Sequence, residues 1–514
     1  MKRLFATVLC LSMLLCGCGN SGDDPYVPTG GGLEYGPEYT GPQVTPGTDT
    51  TIQNLSLPYY KDKSLNPYTC ADFTNRVLFS LLYQSLFTVD RDYTVQPQLC
   101  KSFSVSEDMK TYTFYLDAAT FSNGAPVTAQ DVAASLNAAR EGAYYKGRFF
   151  HVNEVLAEGE AVVIKLNVPY EDLPVLLDVP IVPADQVGAE RPIGSGPYTF
   201  HSAAVGDSLH KRANWWCNAK LPVTADTITL FAATSATDIR DQFEFADLSV
   251  ACTDPGSDRY ADYRCDYELW DSENGIFLYL ATSTDSEVFK VDALRIALTY
   301  AVDRDMLVAD YYRGFAQSAC LPASPSSPYY SAVLAQKYSY DAEKFAQAVK
   351  STNSEGKAIV FLVNKDDSLR LRVARRIGEM LKAGGLKVTM KELGGNAYVD
   401  AVKARQYDIY LGQTKLSPNM DLTPFFHTYG ELSWGGVNDA GAYALCLQAL
   451  ENHGNYFTLH KQVMDQGLIC PVLFRNYAIF TARGVVSTLT PVRDNLFYYS
   501  MGRTLESAKI TTES

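Results

Sequence analysis

The chain has 514 residues, of which 46% are hydrophobic and 12% aromatic, and its formal net charge is −14. This acidic balance argues against a nucleic-acid partner, because proteins hold nucleic acids largely through basic contacts to phosphates. About 465 residues lie beyond position 48, too many for a single hydrophobic core, so two lobes are expected.

Residues 1–17 are predicted to form a lipoprotein signal peptide. Two basic residues precede the apolar stretch Leu4 to Leu15, which is too short to span a bilayer. The sequence LCGC at 15–18 resembles a bacterial lipobox, in which small residues precede a cysteine that is acylated after cleavage. Cys18 is therefore the predicted lipidation site, and several acyl chains would hold it stably on a membrane. The alternative is an ordinary secretory signal that contains cysteine.

Beyond Cys18, residues up to 48 are predicted to be a disordered tether. They are rich in Gly, Pro and Thr and contain acidic residues but no Lys or Arg, so they cannot bury enough apolar surface to offset their ordering entropy. No later run is apolar and long enough to cross a membrane. The folded part is expected outside the cytoplasm, anchored to the outer face of the bacterial cytoplasmic membrane or facing the periplasm.

Eight of the 11 cysteines lie beyond the signal segment, and no two are spaced as CxxC, so a structural zinc site is not expected. An exported chain permits disulfides, and Cys252 and Cys265 are the closest pair in sequence. Free buried thiols are an equally good interpretation.

The folded region opens with an alternating pattern over 51–57 that predicts a strand. Apolar residues at helical spacing from Val77 to Leu86 predict a helix, and alternation over 112–116 predicts a second strand. A capping box at 128–131 predicts a helix that continues to about Arg140.

Residues 358–412 carry the strongest fold signal. They predict a buried strand over 358–363, a helix over 368–383 that ends at a glycine pair, and a strand over 386–390. A second helix and a third strand are then expected, at 397–404 and 407–411. This alternation predicts an α/β fold with a parallel, doubly wound sheet. Ligands of such sheets bind at the carboxyl ends of the strands, here residues 364–365 and 412–416.

Six segments together resemble the family 5 extracellular solute-binding proteins, the oligopeptide, dipeptide and nickel receptors of ABC importers. Their order along the chain is that of the family, and they span roughly residues 51–500. The segments are SLNPY at 64–68, YQSLF at 83–87, FSNGAPVTAQDV at 121–132, PIGSGPYTF at 192–200, VDALRIALTYAVDR at 291–304 and YDIYLG at 407–412.

The resemblance implies a two-lobed fold like that of periplasmic binding proteins, of type II in the large cluster with an extra subdomain. Lobe I is expected to comprise 49–272 plus 481–514, with an inserted subdomain at about 71–190, and lobe II to comprise 273–480. A hinge between the lobes closes over the ligand. The implied function is to capture a solute and deliver it to the permease subunits of an ABC importer. A peptide is the solute that the resemblance favours. The receptor is expected to be a monomer without a cofactor or a metal.

Ten residues are predicted to bind the ligand. They come from lobe I, from the two strand ends of lobe II and from a segment that often lines the pocket in the family: Tyr68, Thr69, Asn364, Lys365, Asp366, Gln413, Thr414, Lys415, Leu416 and Trp434.

One loop departs from the family pattern. Peptide-binding members hold the ligand's amino terminus with an aspartate that follows a tryptophan. Here Gln413 stands in place of the tryptophan, and Lys415 and Leu416 stand where the first acidic residue is usual. Asp421 matches a later aspartate of that loop, which more often caps the following helix. The amine clamp is thus not established by the sequence.

The two alternative functions are an enzyme and a receptor for another class of ligand. For an enzyme, the chain lacks GxSxG, HExxH and GxxxxGK motifs, and Ser195 between two glycines is followed by Pro197, which prevents a nucleophile elbow. No catalytic residue is predicted. A receptor for a metal (nickel) chelate or an oligosaccharide is the alternative within the fold, with His427 just after the cleft loop, but the six histidines form no ligand cluster.

Overall fold

The computed structural model describes residues 55–216, 223–253, 263, 265–434, 437–486 and 489–499, with the backbone of 507–509. The predicted signal peptide, the lipidation site Cys18, the tether and the start of the strand predicted over 51–57 lie outside these residues. Across the described part, no helix is both long and apolar enough to cross a bilayer.

The strands fall into four sheets. They are β1 (Leu55–Tyr59), β2 (Phe87–Val89), β3 (Val95–Pro97), β4 (Cys100–Val105), β5 (Thr111–Leu116), β6 (Val152–Glu158), β7 (Ala161–Leu166), β8 (Tyr198–Ala203), β9 (Gly206–Lys211), β10 (Thr227–Ala232), β11 (Val250–Thr253), β12 (Tyr267–Thr282), β13 (Ala316–Ser318), β14 (Ala358–Asn364), β15 (Lys387–Leu393), β16 (Ile409–Lys415), β17 (Cys470–Ala482) and β18 (Ser507–Lys509).

The α-helices of the described residues are interspersed with short 3₁₀ turns. They are α1 (Phe73–Arg76), α2 (Phe79–Leu82), α3 (Ala129–Glu141), α4 (Ala236–Glu244), α5 (Asp292–Ala301), α6 (Arg304–Tyr312), α7 (Ala332–Ala335), α8 (Ala342–Ser351), α9 (Ser368–Ala383), α10 (Gly395–Lys403), α11 (Thr423–Phe426), α12 (Ala440–Glu451) and α13 (Tyr456–Asp465).

The predicted α/β alternation is confirmed. Strand β14 pairs in parallel with both β15 and β16, and α9 has the predicted bounds. The sheet around these strands is mixed, however, with the order β11-β17-β12-β16-β14-β15 and with β13 beside β17. Strand β12 pairs antiparallel with β16, and β17 pairs antiparallel with the other edge of β12.

The prediction of a single helix from Val77 to Leu86 is wrong. Helix α1 ends at Arg76, before this segment; within the segment α2 covers only Phe79–Leu82, and the chain becomes extended at Tyr83. The apolar residues of this segment are buried on every side, so their spacing reflects an interior position rather than one face of a long helix. The capping box at Thr128 is confirmed, since its hydroxyl accepts from the backbone N–H of Asp131 at the start of α3.

Strands β12 and β17 run antiparallel between the two predicted lobes. Their register shifts between Glu273 and Phe277, where Gly275 has a φ of +70°. A side chain at Gly275 would meet the Arg493 guanidinium at 2.3 Å, so the glycine permits both the backbone shape and this close approach. The lobe boundaries predicted near 273 and 480 fall on this strand pair.

The described cysteines are free thiols, so Cys252 and Cys265 are not joined.

Candidate functional site

The end of β16 contacts residues from two distant parts of the chain. The Lys415 ammonium lies 2.5 Å from Asp494 Oδ1 and donates to the Tyr144 hydroxyl at 2.6 Å. It also lies 4.5 Å from the centroid of the Tyr144 ring. Burial lowers the pKa of Lys415 to about 7, against the opposing charge of Asp494. Lys415 thus joins a strand end of predicted lobe II to two segments of predicted lobe I.

Asp494 is the centre of a buried charge cluster. Besides Lys415 it contacts Arg148 Nη2 at 3.3 Å, and it accepts from the Tyr144 hydroxyl at 2.7 Å. Arg148 also pairs with Asp178. Burial by itself would raise the pKa of the Asp494 carboxyl, but Lys415, Arg493 and Arg148 hold it well below its usual range.

Arg76 is buried beside this cluster. Its guanidinium donates to the carbonyls of Pro67 and Cys70 at 3.2 and 3.1 Å, and to the Tyr145 hydroxyl at 2.8 Å. Its central carbon lies 3.3 Å from the centroid of the Tyr144 ring. Neutral carbonyls, a phenol and an aromatic face therefore hold this cation.

Arg493 makes a second connection across the same region. Its guanidinium packs on Gly275 and donates to the backbone carbonyl of Leu416. Its Nε lies 3.8 Å from Asp494 Oδ2. Two consecutive residues at the end of β16, Lys415 and Leu416, thus contact two consecutive residues of the C-terminal segment, Arg493 and Asp494.

Two small cavities adjoin this cluster, with volumes of about 50 and 20 Å³. Both are bordered by Arg76, Val492, Asp494 and Asn495. The larger extends along α2 and Thr88, and the smaller reaches Tyr144 and the Tyr477 side of β17. None of the ten predicted ligand-binding residues borders these two cavities.

The two ligand contacts predicted in lobe I differ in their solvent exposure. Tyr68 is buried, and its hydroxyl donates to the Pro180 carbonyl at 2.8 Å. Thr69 is exposed, and its hydroxyl lies 3.4 Å from that of Ser64.

The end of β14 contacts the start of α10. The side-chain oxygen of Asn364 accepts from the Asp366 N–H at 2.9 Å, and the Asp366 carboxylate accepts from the N–H of Gly395, the first residue of α10, at 2.6 Å. Lys365 is exposed, and its N–H donates to the Leu393 carbonyl. These side chains surround the start of α10.

The remaining predicted residues lie near β16. Gln413 accepts from Arg475 at 3.0 Å, half-buried Thr414 pairs with Phe277 of β12, and Leu416 is buried. Trp434 is half-buried, with the Lys403 ammonium 5.8 Å from its ring centroid.

Asp421 caps the segment that follows the loop. It accepts from both the N–H and the hydroxyl of Thr423, the first residue of α11. It also lies 3.3 Å from His151 Nε2, which makes another contact between the predicted lobes. Burial opposes ionisation of Asp421, but His151 and Thr423 outweigh it and lower the pKa of this carboxyl.

The alternative chemistries find no assembled site among the described residues. They contain no group of three potential metal ligands, and His427 contacts the rings of Phe150 and Tyr443. Ser195 is fully buried. A side chain at Gly194 or Gly196 would meet the backbone of Leu82, so these glycines serve close packing against α2.

Most of the charge cluster was not predicted from the sequence. These residues are Arg76, Tyr144, Arg148, Asp178, Arg493 and Asp494. A signal was present at Arg76, a charged residue that precedes the apolar run Val77 to Leu82. The Arg493-Asp494 pair between Val492 and Leu496 is a similar case.

A family model described as bacterial extracellular solute-binding proteins, family 5 Middle, matches residues 94–435. Among curated proteins, the glutathione-binding protein GsiB of Escherichia coli strain K12 is 25% identical over 393 residues, which cover 72% of this chain and 74% of GsiB.

Solved structures show the same fold. The ABC transporter substrate-binding protein CtaP of Listeria monocytogenes is 20% identical, with a TM-score of 0.70 over 86% of this chain and 97% of CtaP. NikA of Brucella suis in complex with Fe(III)-EDTA is 19% identical, with a TM-score of 0.67 over 86% of this chain and 98% of NikA.

Proposed function

Because this chain belongs to the family 5 bacterial extracellular solute-binding proteins, which serve ABC importers, we propose that its solute is a peptide. The relative GsiB supports this choice, since glutathione is a small peptide. The receptor would hand the bound peptide to the permease subunits of its importer.

The observation that carries the proposal is the contact of Lys415 with Asp494 and Tyr144. It joins residues on opposite sides of the proposed hinge, β12 and β17. Ligand pockets for small molecules usually measure roughly 300–1,000 Å³, far more than the cavities beside this contact. A peptide therefore requires the two sides to separate, and differential affinity for the closed form would drive closure.

We place the ligand between lobe I (49–272 plus 481–514, with the subdomain at about 71–190) and lobe II (273–480). Residues 413–416 are the best supported of the predicted contacts because Lys415 and Leu416 already meet the opposite side. Tyr68, Thr69, residues 364–366 and Trp434 stay in the proposal as contacts of an opened cleft.

A metal chelate is the second candidate, and the fold shared with NikA in complex with Fe(III)-EDTA favours it. A preformed chelate brings its own metal ligands, so the receptor needs no ligand cluster of its own. An oligosaccharide is the third possibility within the fold. We propose no catalytic activity, which fits the burial of Ser195.

The N-terminal sequence supports a lipoprotein. We propose that Cys18 is acylated after removal of residues 1–17 and that residues up to 48 tether a monomeric receptor to the membrane. Mass spectrometry of the membrane-extracted protein tests this: an unmodified Cys18 contradicts the anchor but leaves the receptor function untouched.

Native mass spectrometry of the purified protein tests the function, and one retained small molecule per monomer is the expected result. Thermal shift assays with glutathione, mixed peptides, oligosaccharides and nickel chelates then identify the class, because a ligand that binds only the folded protein raises its Tm. Stabilisation by chelates alone favours the second candidate. If none of these ligands stabilises the protein and no solute is retained, the receptor proposal fails.

A further inference from the structure

The larger cavity collects buried polar groups that have no hydrogen-bond partner among the described residues. Arg493 is 6% exposed, yet its Nε and Nη1 make no hydrogen bond. The same holds for the hydroxyls of Ser80 and Thr88 and for the side-chain oxygen of Asn495. All four side chains border the cavity of about 50 Å³. Since buried polar groups nearly always have partners, these atoms point to a ligand group or to bound water.

Two arginines, Arg76 and Arg493, and two aspartates, Asp178 and Asp494, border this cavity. Four cationic side chains lie in the cluster: Arg76, Arg148, Lys415 and Arg493. Asp178 pairs with Arg148, and Asp494 contacts Lys415 and Arg148. This leaves Arg76 with neutral partners and Arg493 with one distant carboxylate contact, at 3.8 Å.

A third carboxylate, Glu273, faces the same region. It accepts from the hydroxyls of Tyr93 and Ser324, both at 2.6 Å. Burial raises the pKa of Glu273. Among the described residues, Nε and Nη1 of Arg493 have no hydrogen-bond acceptor, and an anionic group in the cavity would supply one.

The volume of the cavity limits the size of the ligand group that it can hold. A cavity needs roughly 10–15 Å³ on this measure to hold one water, so about 50 Å³ accommodates about three or four small heavy atoms. A carboxylate group has three. The guanidinium of Arg493 packs on Gly275 and donates to the Leu416 carbonyl, which leaves its Nε and Nη1 as free donors.

We propose that this cavity binds a carboxylate group of the ligand, with Arg493 as its main partner and Ser80 and Thr88 as additional donors. The inference rests on the proposed receptor function and specifies its solute as anionic. Arg493 also contacts Leu416, so the carboxylate would bind where the end of β16 meets the C-terminal segment.

Isothermal titration of the purified chain with four probes tests the proposal. The probes are tripeptides with free C-termini and no acidic residue, the same tripeptides as C-terminal amides, amidated tripeptides that contain Glu, and succinate. We expect one of the carboxylate-bearing probes to bind at least about tenfold more tightly than the neutral amides, as a charge-assisted hydrogen-bond pair allows. The first and third probes distinguish a terminal from a side-chain carboxylate.

Substitutions test whether the preference for carboxylate-bearing probes arises from the cavity. Arg493→Met is expected to abolish it, and Arg493→Lys to retain part of it. Because Arg493 also packs on Gly275, Thr88→Val serves as a milder test, with a loss of about tenfold or more expected for a lost hydrogen bond to an anion. Thr229→Val, an exposed position on β10, is the matched control.

The outcomes separate this inference from the receptor function. Equal binding of free and amidated peptides overturns the carboxylate site and leaves a peptide receptor. Binding of succinate alone, lost in Arg493→Met, supports the site and contradicts a peptide solute. A preference that survives both Arg493→Met and Thr88→Val, or no binding of any probe, overturns the inference.

Discussion

The ends of β14 and β16 are neighbours in one sheet, but they have different partners. Both follow parallel strands, and both were predicted as ligand contacts by the same topological rule. Asn364 and Asp366 after β14 form hydrogen bonds around the start of α10. Lys415 at the end of β16 instead reaches Asp494 and Tyr144.

The difference shows that position in a sheet does not by itself determine the role of a strand end. The β14 end faces the start of α10, where the Asp366 carboxylate accepts from a free backbone N–H group. The β16 end faces the C-terminal segment, where a cation must be buried and paired. Substitutions at the two ends should therefore differ in size and kind.

The largest effect is expected from Asp494→Asn. This change leaves Lys415 and Arg148 without their shared carboxylate in a buried setting, so it should lower the free energy of unfolding by about 3–5 kcal/mol. Urea unfolding followed by circular dichroism measures the change. A loss as small as that of Asp366→Asn would show that the two strand ends do not differ energetically.

A smaller effect is expected from Lys415→Met. It removes the contact with Asp494 but leaves Arg148 beside that carboxylate, so a loss of about 1–3 kcal/mol is expected. Small-angle scattering of the ligand-free protein should also show a larger radius of gyration. Lys365→Met, an exposed lysine after β14, is the matched control and should leave scattering unchanged. Identical curves for both variants would contradict a role of Lys415 in closure.

The pH dependence of stability should reveal the lowered pKa of Lys415. The pKa of Lys415 is lowered to about 7 in the folded chain, below the ordinary lysine value near 10.4. Between these values the unfolded chain binds more protons, so this residue makes the free energy of unfolding rise with pH. The wild type should gain stability relative to Lys415→Met between pH 7 and 9. A constant difference across this range would contradict the lowered pKa.

The smallest effect is expected from Asp366→Asn. The amide oxygen still accepts from Gly395, so only the charge is lost at an exposed position, and the cost should stay below about 1 kcal/mol. Thermal unfolding measures it. A larger loss, or a change in ligand affinity above that of Lys415→Met, would assign the β14 end to the binding site and reverse the comparison.

Local sequence determined much of the fold. The alternation of strands and helices over 358–415, the bounds of α9 and the capping box at Thr128 follow from periodicity and capping, which act over a few residues. The motifs that resemble family 5 receptors are likewise short and contiguous. These features could be predicted because their causes lie within one turn, one strand or one loop.

Only the tertiary structure decided which strand end meets the opposite side and which charges are buried together. Lys415 and Asp494 are 79 residues apart, and Tyr144 is 271 residues from Lys415. Of the helix predicted over 77–86, only the four residues of α2 are helical, in a segment whose apolar residues are buried. Burial and pairing of charge depend on surfaces that meet only after the chain has folded, so residue type and local spacing do not specify them.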